Sequence, residues 1–226
     1  MLIAGAAGTG KSSLGMCFAQ ALLGRGGAVS YYLFDESPHS FGIRNRGIGL
    51  SLDAHLASGR LAVNSVEPAD MSPGELSSRI RADVEEQGVG MVVIDSLSGY
   101  LHAMAESRFL DLHLHQLLSY LGQRGVITVL ILTQHGIIGE LSAPVDLSYI
   151  SDTTILMRFF EARGRVRRAL AVQKRRYGPH EKTIRELDIS SRGIEIGEPI
   201  EAFQGVLSGH LQYVGAGGGL LGRKPE

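Results

Sequence analysis

The sequence predicts an α/β fold: a mainly parallel sheet flanked by helices, followed by an antiparallel C-terminal extension. Apolar runs typical of strands alternate with helical patterns from residue 2 to residue 132. Such alternation is typical of a parallel sheet that is covered by helices on both faces. From residue 153 onwards, strand-like runs follow one another without intervening helices, which predicts antiparallel pairing.

The elements of the parallel half each have a local signal. Ser37 and Pro38 are typical of an N-cap followed by a first helical residue, and Ser72 with Glu75 forms a capping-box pattern. Periodicity and apolar runs predict strands at residues 2–4, 29–34, 61–66, 91–95 and 126–132, and helices at residues 13–23, 52–57 and 109–121, besides those that begin at Pro38 and Pro73.

The C-terminal half predicts a hairpin and one further strand. Residues 153–160 and 166–174 form the hairpin around the turn at residues 162–165, and residues 183–189 form the third strand. We expect one domain over residues 1–200 and a tail over residues 201–226, whose glycine-rich end is disordered. Because the first strand begins directly after Met1, we also expect that an N-terminal flank is missing.

Composition narrows the class of protein. The chain has 226 residues, of which 44% are hydrophobic and 20% charged, and a net charge of −1, so it has no overall attraction to nucleic acid or membrane. No apolar run approaches the ~18 residues of a membrane span, and no export signal is present. The single cysteine, Cys17, excludes an internal disulfide and is expected to be buried in the first helix. We therefore expect a cytoplasmic protein without a membrane partner.

The strongest motif follows the first strand and matches the phosphate-binding P-loop pattern, G-x-x-x-x-G-K-[ST]. Its glycines allow backbone N–H groups to surround phosphate oxygens at the start of a helix. Lys11 would reach the β- and γ-phosphates, and Ser12 would bind Mg²⁺. The predicted nucleotide-binding residues are Gly5, Ala6, Ala7, Gly8, Thr9, Gly10, Lys11, Ser12 and Ser13.

Polar residues follow the apolar strands at the edge where this loop is expected. Residues 91–94 are apolar and end in Asp95, the form of a Walker B strand, whose carboxylate would hold the Mg²⁺ together with Ser12. Asp35 and Glu36 follow the strand at residues 29–34. Gln134 follows the strand at residues 126–132, where it either senses the γ-phosphate or is an ordinary surface residue.

Taken together, these motifs and the basic run at residues 174–186 resemble the KaiC circadian clock ATPases, a branch of the RecA-like P-loop NTPases. The motifs agree with that family in order and spacing, and the resemblance extends from residue 2 to about residue 209 and is to the C-terminal KaiC domain. It implies a RecA-like fold, Mg²⁺ and ATP as cofactors, ATP hydrolysis, and a homo-oligomer, expected to be a hexamer, with ATP at subunit interfaces. A signalling or timing role with protein partners is also implied.

The resemblance also implies roles for particular residues. Asp35 and Glu36 would hold the attacking water or hydroxyl, although the family more often has two glutamates there, and either could be the main base. Lys174 and Arg176 match the cations that a subunit presents to its neighbour's γ-phosphate. Some relatives phosphorylate themselves on a Ser-Thr pair, which here is Ser148-Tyr149, so Ser148 is a candidate phosphosite for serine/threonine autokinase activity.

Two other functions remain open. A RecA-like DNA recombination or repair ATPase would fit the basic segment at residues 158–185, in which only Glu161 and Glu181 oppose the cations. The loops expected to line the channel of a ring, residues 98–112 and 136–151, contain a single cation, Arg108, so we do not expect a DNA partner. A nucleotide-binding scaffold without turnover is the second alternative.

Overall fold

The computed structural model describes residues 1–67, 71–103, 110–134, 151–208 and 212–214. Its helices are α1 (Lys11–Leu23), α2 (Pro38–Gly47), α3 (Asp53–Ala57), α4 (Pro73–Gln87), α5 (Leu97–Ala103) and α6 (Leu110–Gln123). Its strands are β1 (Leu2–Gly5), β2 (Val29–Leu33), β3 (Leu61–Ser65), β4 (Met91–Asp95), β5 (Ile127–Thr133), β6 (Thr153–Ala162), β7 (Arg165–Arg175), β8 (Arg185–Ser190), β9 (Gly193–Pro199), β10 (Phe203–Gln204) and β11 (Gln212–Tyr213).

Strands β1 to β9 form one sheet in the order β3-β2-β4-β5-β1-β6-β7-β8-β9. The strands from β3 to β6 are parallel, and β7, β8 and β9 each pair antiparallel with the strand before them. The carboxyl ends of β1, β2 and β4 therefore lie at the same edge of the sheet. The predicted fold class is confirmed.

Two apolar clusters cover the two faces of the parallel strands. One joins the sheet to α4, α5 and α6, and the other joins it to α1 and α2. Adjacent residues of β2 alternate between the clusters: Tyr32 belongs to the first and Tyr31 to the second, and both are fully buried. Because side chains alternate along a strand, β2 places one tyrosine hydroxyl on each face of the sheet.

The helix starts agree with the predicted caps. Ser37 Oγ accepts a hydrogen bond from Ser40 N at 3.2 Å, and Pro38 is the first residue of α2. At α4 the capping box is complete, because Ser72 N donates to Glu75 Oε2 at 2.7 Å and Glu75 N donates to Ser72 Oγ at 3.2 Å. Both caps satisfy backbone groups that a helix end otherwise leaves unpaired.

Three sequence interpretations differ from the structure. Helix α5 occupies part of a segment that the sequence analysis treated as a loop, residues 98–112, and β9 is a strand that was not predicted. Isoleucines alternate with polar residues in β9, as in a strand, but the run is short and contains two glycines. Cys17 is half-buried rather than buried, and burial raises the pKa of its thiol.

The first part of the predicted tail contributes to the fold. Val206 is buried in a small apolar cluster with Phe160, Ala162 and Ala169, and Phe203 packs against it. The Phe203 and Tyr213 rings make an edge contact with centroids 5.4 Å apart. Residues 215–226, which include the glycine-rich end, lie outside the described residues.

Candidate nucleotide-binding site

The P-loop connects β1 to α1 and places its lysine inside the loop. Gly8 and Gly10 have φ angles of 80° and 99°, in the left-handed region that only glycine adopts without strain. Lys11 is 5% exposed, and its Nζ donates to Ala6 O at 2.7 Å. Burial lowers the pKa of Lys11 to about 8, while the nearby Asp95 carboxylate opposes that shift. The ammonium group therefore lies among backbone groups with little solvent around it, where a phosphate would stabilise its charge.

One residue of β6 and one of β7 contact this loop. The Arg168 guanidinium lies over the Phe159 ring at 5.6 Å from its centroid, and Arg168 Nε donates to Gly8 O at 3.4 Å. A Cβ atom at Gly8 would lie 3.6 Å from the Phe159 ring. Strands β6 and β7 thus support the tip of the P-loop, a contact that the sequence motifs do not encode.

Ser12 and Asp95 meet at the carboxyl edge of the sheet. Ser12 Oγ donates to Asp95 Oδ1 at 3.0 Å, and Tyr31 OH donates to Asp95 Oδ2 at 2.8 Å. Burial raises the pKa of Asp95, and the hydrogen bonds from Tyr31 and Ser12 and the Arg44 charge oppose this. Burial and the Asp95 carboxylate also hold the pKa of Tyr31 well above its usual value, so its hydroxyl remains a donor.

This donor set fits Mg²⁺. A hydroxyl oxygen and a carboxylate oxygen 3.0 Å apart are hard ligands of the type that Mg²⁺ prefers, with water completing its coordination. Within the described residues there is no cluster of three or more His, Cys, Asp or Glu side chains that could hold a metal ion by itself. Ser12 and Asp95 would therefore hold the ion with nucleotide phosphates and water.

The acidic pair lies at the end of β2, and its two members have different surroundings. Asp35 is exposed, and its Oδ2 accepts a hydrogen bond from Ser96 Oγ. Glu36 is half-buried and pairs with Arg44, whose Nη2 donates to Glu36 Oε2 at 2.7 Å. Sequence motifs do not distinguish these two carboxylates, but their surroundings in the structure differ.

A glycine without a recognised motif makes room for Asp35. A Cβ atom at Gly99 in α5 would lie 2.6 Å from Asp35 Oδ1 and 2.7 Å from Phe34 Cβ. Since both distances are too short for a real contact, the end of β2 can approach α5 only because residue 99 has no side chain. Gly99 N also donates to Ser96 Oγ at 3.0 Å, which orients the hydroxyl that holds Asp35.

Sequence motifs did not identify Tyr31, Arg44, Ser96 or Gly99. Ser96 follows the Walker B aspartate, and Arg44 lies eight residues after Glu36 on the predicted helix, so both had a positional signal. Tyr31 and Gly99 had none, because a buried strand tyrosine and a helical glycine are common. Their roles depend on distances between elements far apart in sequence.

Lys174 and Arg176 lie at the edge of the sheet formed by the amino ends of the parallel strands. The P-loop of their own chain lies at the opposite edge, formed by the carboxyl ends. Lys174 pairs with Thr154, and Thr154 pairs with Leu2, the first residue of β1, whereas the P-loop follows Gly5 at its other end. The offset of three residues corresponds to about 10 Å along the strand. Arg176 forms an ion pair with Asp152, with Nη1 3.0 Å from Oδ1. The structure therefore does not bring these cations to the P-loop of the same subunit.

Two other candidates have simpler outcomes. Ser148 and Tyr149 lie outside the described residues. Gln134 is half-buried and its backbone N–H donates to Gly5 O at 2.9 Å, so the residue lies beside the start of the P-loop. None of the described helices is long and apolar enough to span a membrane.

Comparison with known proteins agrees with this geometry. Residues 1–201 match the model of the KaiC ATPase family. The chain is 28% identical over 215 residues to the circadian clock protein KaiC3 of Synechocystis sp., covering 94% of this chain and 42% of that protein. It is 26% identical over 211 residues to the circadian clock oscillator protein KaiC of Synechococcus elongatus, covering 92% of this chain and 40% of the relative. The chain thus spans about two-fifths of the length of these relatives. With a family match over most of its length, the chain belongs to the KaiC ATPase family.

Proposed function

We propose that this chain is a Mg-ATP-dependent ATPase domain that functions in a homo-oligomeric ring, with each ATP bound between two subunits. One observation supports this above all: the P-loop, Asp95 and the acidic pair lie at one edge of the sheet, and Lys174 and Arg176 lie at the other. A single subunit therefore has the binding half of a site. In a head-to-tail ring, each subunit's second edge can meet its neighbour's first.

The proposed reaction is in-line hydrolysis of the γ-phosphate. The oxygen of a water molecule bonds to the γ-phosphorus, the bond from that phosphorus to the bridging oxygen breaks, and ADP leaves with the electron pair. A carboxylate of the acidic pair accepts one proton of the water. Bound Mg²⁺ would neutralise charge that develops on the phosphate oxygens. Lys11 binds the β- and γ-phosphates, while Lys174 and Arg176 of the neighbour stabilise the transition state.

The test is ATP turnover per subunit as the protein concentration rises, with the mass of the assembly measured in the same samples. Turnover that increases with the fraction of oligomer and requires Mg²⁺ supports the proposal. Turnover per subunit that is the same for monomer and oligomer contradicts the shared site. Nucleotide binding without any turnover would instead favour the scaffold alternative.

We propose autokinase activity and a timing role on the basis of the family alone. The relatives named above are circadian clock proteins, and this chain shares their ATPase family, so a signalling or timing module with protein partners is a consistent role. Mass spectrometry after incubation with ATP tests for phosphate on Ser148, with Lys11→Ala protein as the control. Phosphate that appears equally in both samples would not come from this site.

The DNA alternative is tested by a salt titration. Binding that neutralises phosphates on DNA weakens steeply as the salt concentration rises. We expect no such binding to single- or double-stranded DNA, because many cations of the basic segment are already paired within the subunit, as Arg167 is with Glu186 at 2.9 Å. A steep salt dependence would favour a DNA-handling ATPase.

A further inference from the structure

Arg44 connects the candidate base region with the candidate Mg²⁺ ligand. It lies in the last turn of α2, the helix that begins two residues after Glu36. Its Nε lies 3.2 Å from both carboxylate oxygens of Glu36, and its Nη2 donates to Oε2 at 2.7 Å. The same Nη2 is 3.8 Å from Asp95 Oδ2. One guanidinium group thus lies between the carboxylates at the ends of β2 and β4.

The guanidinium is fixed from two sides. Its Cζ lies 5.3 Å from the centroid of the Phe41 ring, and that ring packs against Tyr31 at 4.8 Å between centroids. Only 23% of the Arg44 side chain and 25% of the Glu36 side chain are exposed. An ion pair that is held by several hydrogen bonds and shielded from water has a defined geometry, unlike an exposed pair.

This pairing distinguishes the two members of the acidic pair. Both oxygens of Glu36 accept hydrogen bonds from Arg44. Both oxygens of this carboxylate are therefore already engaged with the guanidinium N–H groups, and neither is left to bind the attacking water without breaking the ion pair. Asp35 is exposed and accepts a hydrogen bond on Oδ2, and within the described residues its Oδ1 accepts none. Asp35 is therefore the carboxylate with an available oxygen.

We propose that Arg44 is a positioning residue of this site: it holds Glu36 in a fixed ion pair, so that Asp35 accepts the proton of the attacking water. The inference rests on the proposed ATPase function. It assigns different tasks to two neighbouring carboxylates: Asp35 contacts the reacting water, and Glu36 anchors the guanidinium that orders the ends of β2 and β4. Neither Arg44 nor this division follows from the P-loop or Walker B motif.

The experiment measures kcat and KM for ATP, the Kd of a fluorescent ADP analogue, and the melting temperature for a set of variants. We expect Asp35→Asn to lower kcat by at least about 100-fold, the usual contribution of a positioned general base. Glu36→Gln should lower it by less than about 10-fold, because the amide oxygen still accepts a hydrogen bond from Arg44. The full-length protein is used throughout, in its oligomeric form.

Arg44 itself is tested by a graded series. Arg44→Gln should lower kcat by about 10-fold while KM and the Kd of the ADP analogue change by less than about 3-fold, since it acts through geometry and not through nucleotide contact. Arg44→Lys keeps the charge but cannot hold both oxygens of Glu36, so its kcat should be intermediate. The matched control is Arg46→Gln, in the same turn of α2, where the arginine is exposed and no change is expected.

The outcomes separate this inference from the proposed function. Wild-type protein without turnover would contradict the proposed function. If the wild type is active, a loss in Glu36→Gln equal to that in Asp35→Asn would overturn the assignment of the base. A wild-type kcat in Arg44→Gln, with a lower melting temperature alone, would show that Arg44 is merely structural. Should Arg44→Gln not fold, Arg44→Lys decides the question, because wild-type kcat in that variant also overturns the inference.

Discussion

The two halves of the sheet hold their functional side chains in different ways. At the carboxyl edge of the parallel strands, Asp95 is 8% exposed and accepts hydrogen bonds from Ser12 and Tyr31. In the antiparallel half, the Arg176–Asp152 ion pair is 44% and 58% exposed. A hydrogen bond to a buried charge contributes about 1.5–3 kcal/mol, whereas an exposed ion pair contributes at most about 1 kcal/mol. The first edge is therefore ordered within one subunit, whereas the ion pair at the second edge can be broken at low cost, as the proposed contact with a neighbouring subunit requires.

The largest effect is expected on ATP binding when the ordered edge loses its P-loop lysine. Lys11→Ala removes the ammonium group that would contact the β- and γ-phosphates, and the loss of such a contact should weaken ATP binding by at least about 100-fold. Equilibrium binding of a fluorescent ATP analogue measures this. Circular dichroism should show an unchanged fold, because Lys11 forms its hydrogen bond to Ala6 O within the loop. Wild-type affinity in this variant would refute the site assignment.

The next largest effect is expected on ATP turnover when the exposed edge is altered. Arg176→Ala should leave ATP affinity within about 3-fold of wild type but lower the turnover of the oligomer by at least about 100-fold, the range expected for an arginine that stabilises the transferring phosphoryl group. Arg192→Ala is a matched control, since it removes another exposed arginine whose ion pair among the described residues is with nearby Glu195. Equal turnover in the Arg176 variant and wild type would mean that Arg176 has no role in trans.

A smaller effect is expected where α5 approaches the end of β2. Gly99→Ala places a Cβ atom within 2.6 Å of Asp35 Oδ1, so the carboxylate must move. We expect kcat to fall by about 10-fold while nucleotide affinity remains close to that of wild type. Gly122→Ala in α6 is the control, because a Cβ atom there meets no described atom within 4 Å. A kcat for Gly99→Ala equal to that of the control would show that Asp35 needs no exact position.

The smallest effect is expected on the free energy of unfolding when either of two adjacent tyrosines is replaced. Tyr31 OH donates to Asp95 at 2.8 Å on one face of the sheet, and Tyr32 OH donates to Asp83 at 2.6 Å on the other. Replacing either by phenylalanine leaves a buried carboxylate with one donor fewer, which should lower the free energy of unfolding by about 1–3 kcal/mol. Urea denaturation measures that loss.

Activity should separate the two tyrosine variants. Only Tyr31→Phe alters the surroundings of the candidate Mg²⁺ ligand, so only it should change the Mg²⁺ concentration that half-saturates ATP turnover. Tyr32→Phe should keep the wild-type Mg²⁺ dependence despite a similar loss of stability. If both variants change the Mg²⁺ dependence equally, the effect is a general loss of stability and Tyr31 has no specific role.

The sequence predicted the ordered edge better than the exposed one. The P-loop and the Walker B aspartate are local patterns, so a parallel sheet was enough to predict that Ser12 and Asp95 would meet. The contacts of Arg44, Tyr31 and Gly99 depend on packing between β2, β4, α2 and α5, which no local pattern specifies. Strand β9 was missed for a different reason, because its alternation of apolar and polar residues is limited to three residues between Gly193 and Gly197.

The roles of Lys174 and Arg176 were predicted from the family resemblance. The structure was needed to show where these residues lie relative to the P-loop of the same subunit. The basic run at residues 174–186 alone does not reveal which edge of the sheet it occupies. The pairing of Lys174 with Thr154, and of Thr154 with Leu2, assigns the start of the run to the edge away from the P-loop. The proposed role of Lys174 and Arg176 consequently requires a second subunit, whose position no residue pattern within one chain can specify.

The most direct test of the shared site mixes two inactive variants. Lys11→Ala protein has an intact second edge, and Arg176→Ala protein has an intact P-loop. In rings that assemble at random from equal amounts, about one interface in four unites the two intact edges. We predict that the mixture recovers about a quarter of wild-type ATP turnover, with mass measurements confirming mixed rings. Mixed rings with no more turnover than the separate variants would contradict a site shared between neighbours.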